Sequence, residues 1–153
     1  MPSQLYAALV LVHLASAIVW LGGMVFAHFA LRPAAMQLLE PPARLPLMAN
    51  ALGRFFRLVA VAVLAILVSG WLLLARVGMA QAPVGWHVMF VLGVVMALIF
   101  AFIYARLYPL LSKAVAAQQW PAAAGALNRI RILVLINICL GFLAVASAVL
   151  ARA

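Results

Sequence analysis

The fold class predicted by the sequence is all-α, a bundle of four transmembrane helices, and three observations predict it. Hydrophobic residues make up 71% of the 153-residue chain and charged residues only 7%, with a mean hydropathy of +1.31. The apolar residues gather into four long runs. The cations are distributed asymmetrically between the segments that join those runs. A water-soluble domain has no way to cover so much apolar surface, whereas a bilayer needs none of it covered.

The runs extend over about 5–31, 55–75, 86–105 and 132–151. Each supplies roughly the 20 residues that a helix needs to cross about 30 Å of hydrocarbon. Pro41-Pro42 with Pro46, Gln81-Ala82-Pro83, and Gln118 to Pro121 punctuate them. Pro46, Pro83 and Pro121 suit first-turn positions. The chain reads as one integral membrane domain, 1–153, with its helices extending beyond the bilayer on the side of the first and third loops. The opening Met-Pro-Ser-Gln carries no Lys or Arg, and the first run continues past Ala15-Ser16-Ala17. A cleaved signal peptide is therefore not expected.

Charge sets the orientation. Arg32, Arg44, Arg54 and Arg57 flank the first loop, and Arg106, Lys113, Arg129 and Arg131 the third; only Arg76 and Arg152 lie on the opposite side. The positive-inside rule then places those two loops in the cytoplasm and both termini outside. The net charge of +9, with Glu40 as the one acid, is loop anchoring rather than a nucleic-acid surface, because no basic stripe is present. Trp86, Trp120, Tyr104 and Tyr108 read as interfacial aromatics. Gly93, Ala97, Ala101 and Ala105, and Gly141 with Ala148, read as small-residue contact stripes. Asn137 reads as an interhelical hydrogen bonder and Cys139 as a small buried hydrophobe. A shift of 74 positions superposes His13 on His87, Arg32 on Arg106 and Arg57 on Arg131, a faint trace of duplicated hairpins.

Candidate chemistry rests on the histidines. No carboxylate lies within the apolar runs, which excludes a Ser/His/Asp triad and a paired-acid hydrolase. His13 precedes Arg32 by 19 positions, and His87 precedes Arg106 by 19. At 1.5 Å per residue both imidazoles lie about 28 Å from the cytoplasmic boundary, level with each other near the outer face. Two level imidazoles on different helices suit one metal centre, a copper ion or a b-type haem with His13 and His87 as axial ligands. Alternatively, each is an interfacial histidine. Met79, in the outer loop, is a further candidate ligand. Trp20 shares a helical stripe with His13, Ala17 and Met24 and would pack in the bundle or border a flat cofactor. His28 falls about 22 Å deeper and roughly 60° around the helix, and reads as interfacial. Met24, Met89 and Met96 suit Cu(I) but are also ordinary apolar filler.

The segment His13-Leu-Ala-Ser-Ala-Ile-Val-Trp20-Leu-Gly22-Gly23-Met24, followed by Leu31-Arg32-Pro33, resembles the opening of the small copper resistance protein D (CopD) membrane proteins. Trp86-His87 and Leu127-Asn128-Arg129-Ile130-Arg131 resemble that group too. The resemblance implies an inner-membrane protein of copper uptake or resistance, with His and Met contacts to the metal. The first helix is also similar to the HemJ-type protoporphyrinogen oxidase, in which a histidine at the place of His13 binds haem b. That family has a lysine early in its third helix, and Trp86 to Phe90 contain none, which disfavours the enzymatic assignment. Three readings follow: copper handling at an outward-facing site of His13, His87 and Met79; a haem b redox protein, which as an enzyme would be a membrane oxidoreductase; and a non-catalytic accessory subunit. Partners expected are the lipid bilayer, a periplasmic copper or electron-transfer protein, and a second copy of the chain.

Overall fold

The computed structural model describes residues 3–151; Arg152 and the extreme termini lie outside the described residues. Four helices account for nearly all of it: α1 Ser3–Leu38, α2 Pro41–Val77, α3 Val84–Ala116 and α4 Trp120–Leu150. Each is long and apolar enough to cross a membrane, and no strand forms among the described residues.

Every helix outruns the 30 Å slab. The 37 residues of α2 measure about 55 Å. Most of the excess lies at the end carrying Arg32, Arg44, Lys113 and Arg129, termed the basic end below; the opposite end, with the 78–83 loop, is the terminal end. The breaks follow local chemistry. Pro41 and Pro42 occupy the first turn of α2, where the missing N–H is no loss. Pro46, expected at a helix start, is therefore one turn inside α2. Pro83 precedes the first turn of α3 as its N-cap, and Pro121 occupies the first turn of α4. Gly78 ends α2 at φ +91°, a conformation a side chain would oppose, and its N–H bonds Leu74 O at 3.2 Å.

Neither odd-numbered helix is a regular α-helix. In α1, π-helical turns occupy Ile18–Gly22 and Ala27–Leu31, and α3 has one at Ile103–Leu107. Each adds a residue to its turn and so rotates the following face by about 100°. The sequence-based angle between His13 and His28, drawn for a straight helix, does not survive two such turns. Gly23 lets the backbone of α1 press onto the Phe55 ring at the end of the first of them.

The four helices pair as hairpins. α1 packs on α2 and α3 on α4 along most of their length. At the basic end the hairpins close on one another around a continuous core in which Leu45, Phe56, Ile103, Leu111 and Ile130 are almost wholly buried. Phe56 is its hub, meeting Phe100, Tyr104 and Tyr108 edge to face at 5.6–6.2 Å between centroids. Tyr104 and Tyr108, expected as interfacial aromatics, thus pack against this core. Asn137 forms the expected interhelical bond, its Nδ2 donating to Met96 O at 3.2 Å. Cys139 is a correction: it is exposed on the outer surface of α4, where lipid suits a small apolar side chain as well as a core does.

Small residues act at specific points. Gly85 lies against the Ser147 carbonyl and Ala151, so α3 and α4 touch through backbone at the terminal end. Gly141 accommodates Leu21 and Met96. Gly93, expected in a contact stripe, meets nothing within 4 Å of where a Cβ would stand; it opens onto a cavity.

Candidate functional site

Toward the terminal end the hairpins part, and a cavity of about 580 Å³ opens between them with walls from all four helices. Its lining is overwhelmingly apolar. Tyr6, Trp20, Trp86 and Phe90 supply aromatic wall, Met89 and Met96 supply thioethers, and His13 is the one imidazole among the described lining residues. The volume falls in the range of small-ligand sites. Trp20 lies at the deep end, 3% exposed, edge-on to Phe100 at 6.4 Å. At the terminal end the Arg76 guanidinium sits 4.4 Å over the Tyr6 ring, clasping α1 to α2.

His13 is held rather than merely accommodated. Its Nδ1 lies 3.2 Å from Ile66 O and 3.1 Å from Ser69 Oγ on α2. Ser69 Oγ donates its own hydrogen to Ala65 O at 2.6 Å and is left to accept. A carbonyl only accepts, so Nδ1 carries a proton, and in the neutral form of the ring the lone pair stands on Nε2. A backbone carbonyl and a hydroxyl fixing one ring nitrogen is the usual support for an imidazole that binds metal through the other. Gly70 makes the approach possible, since a Cβ there would stand 3.0 Å from His13 Cε1 and 3.4 Å from Nδ1. Ser69 and Gly70, a polar and a side-chain-free residue interrupting the apolar run of α2, are the part of the site that sequence reasoning missed. That interruption was the available signal.

His87 stands in the first turn of α3, half-buried, with Nδ1 donating to Pro83 O at 3.3 Å. Its free nitrogen is therefore again Nε2. Trp86, its neighbour, lines the cavity; His87 and Met79 are not among the lining residues, and Met79 is exposed on the 78–83 loop. Of the candidates named from sequence, the cavity gathers His13 and Trp20, together with Met89 and Met96, which read both as Cu(I) donors and as apolar filler. Met24 is buried in the core below. His28 is at the basic end on a π-helical turn, its ring edge-on to Phe29 at 4.7 Å, within electrostatic reach of Arg32 and Arg131.

Among the described residues no three His, Cys, Asp or Glu side chains come together. What the cavity offers a metal is instead one imidazole and two thioethers, a donor set that suits a soft monovalent copper ion and not zinc, magnesium or calcium. The chemistry of the donors thus fits copper.

No curated protein and no solved structure matches the chain at a significant level. The family model for copper resistance protein D matches residues 49–151. That segment begins within α2 and covers Ser69, Gly70, His87, Met89 and Met96, while α1 with His13 and Trp20 precedes it. With well over half of its length matched, this four-helix membrane protein belongs to the copper resistance protein D (CopD) family.

Proposed function

We propose that the chain handles Cu(I) as cargo at an outward-facing site within a bacterial inner membrane. His13 Nε2 supplies the imidazole and Met89 and Met96 supply thioethers. His87 and Met79, at the same end of the bundle, collect the ion from the periplasm or from a periplasmic copper protein. Both termini face the periplasm in this reading, because eight cations lie at the basic end and the positive-inside rule turns that end to the cytoplasm. The observation that carries the proposal is the two-acceptor anchoring of His13 Nδ1, which leaves a fixed lone pair in a nearly apolar cavity.

A second reading is favoured by a different observation, the aromatic walls and the volume of about 580 Å³. Such a cavity also suits a flat apolar group such as haem b, which His13 would hold and Trp20 would border; His87, the second ligand expected from sequence, stands outside the lining. Bound there, haem would supply one-electron redox chemistry; the chain would orient it and keep water away.

Metal analysis and an absorption spectrum of the detergent-purified protein separate the two. The copper reading predicts bound copper without a Soret band, lost in His13→Ala and weakened in His87→Ala. A Soret band abolished by the same substitutions would replace copper with haem. Neither signal in the wild type would leave an accessory subunit.

A further inference from the structure

A second opening lies at the other end of the molecule and shares no lining residue with the cavity. Between the last turns of α3 and the first turns of α4 is a groove of about 530 Å³, with Leu107, Leu110, Ala114 and Ala126 along its walls. Gly125 widens it, having nothing within 4 Å of a Cβ position. Lys113 from α3 and Arg129 from α4 stand on its two sides.

We propose that this groove binds an anionic phospholipid, its phosphate between Lys113 and Arg129 and its glycerol and upper acyl carbons against Leu107 and Leu110. Charge and position argue for that occupant. The lone acidic side chain, Glu40, is in the other loop, and no carboxylate among the described residues lines the groove. The groove begins at Leu107, just past the apolar stretch of α3, which puts it at headgroup depth. A basic pocket between helices at that depth matches phosphate above and hydrocarbon below, whereas a soluble anion would use only the charge. A zwitterionic lipid brings its own cation, which the two side chains repel.

Native mass spectrometry of the full chain in detergent, titrated with phosphatidylglycerol or phosphatidylcholine of the same acyl chains, tests this. Phosphatidylglycerol should bind preferentially, and Lys113→Gln/Arg129→Gln should weaken it about tenfold. Arg54→Gln/Arg57→Gln removes equal charge from α2 and should leave the preference intact, with thermal unfolding confirming that both variants fold. Equal binding of the two lipids overturns the proposal. So does equal loss in the two double variants, which would mean diffuse attraction. Displacement of the lipid by inorganic phosphate alone would also overturn it, by reassigning the groove to a free anion.

Discussion

The two ends of this bundle are built from the same residue types and do opposite things. At the basic end the hairpins close on Phe56, and the aromatic rings of Phe100, Tyr104 and Tyr108 fill the space between helices. Toward the terminal end the same four helices diverge and leave about 580 Å³ among Trp20, Trp86, Phe90 and His13. Aromatic content does not distinguish them. What differs is whether rings meet each other or line a gap, and on which side of the gap a polar group is anchored. In a membrane the closed half need not supply hydrophobic driving force; it supplies packing, which holds the hairpins in register so that the open half keeps its shape.

Substitutions can break this contrast at either end. The largest effect belongs to Phe56→Ala, which removes the hub of the closed half. It should cost about 3–5 kcal/mol, read as a shift in the unfolding transition in mixed micelles. Next comes the support of His13. Ser69→Ala removes one acceptor and leaves Ile66 O, so Cu(I) affinity in a competition titration should fall about tenfold, the lower end for a supporting partner of a metal ligand, while the unfolding transition barely moves. Gly85→Ala and Gly93→Ala then make the same change on one helix with different outcomes. At Gly85 the new methyl meets the Ser147 carbonyl, backbone that cannot step aside, and about 1–3 kcal/mol should be lost. At Gly93 it enters the cavity, and stability should stay within about 0.5 kcal/mol. Equal losses at both positions would mean that the cavity is not open. Asn137→Ala should cost least among the packing contacts that span hairpins or helices, about 0.6 kcal/mol and at most about 1.7, the range for interhelical hydrogen bonds in bilayers.

How much of this was legible beforehand follows the same division. Helix number came from hydropathy, because lipid sets the length of an apolar run and little else competes. The cation asymmetry marked the basic end for a similar reason. His13 and Trp20 were legible because an imidazole and an indole stand out in an apolar helix. The cavity was not, since it depends on where two hairpins separate, and no local pattern encodes that. The place of Met89 and Met96 on the cavity wall was hidden by the same fact: a methionine filling a core and one lining a cavity look alike in sequence. The π-helical turns of α1 and α3 also defeat straight-helix counting, although Gly22-Gly23 hints at one of them. Gly93 and Cys139 were misread because spacing gives a face without saying whether a helix, a void or lipid lies opposite.

The central claim is that the open half holds copper through an anchored imidazole and nearby thioethers. X-ray absorption of the Cu(I)-loaded protein, beside His13→Ala and Met89→Leu/Met96→Leu, addresses it most directly. The account predicts mixed nitrogen and sulfur scattering around copper, with the nitrogen part reduced in the first variant and the sulfur part lost in the second. A spectrum of nitrogen or oxygen ligands alone, unchanged in both variants, would contradict it.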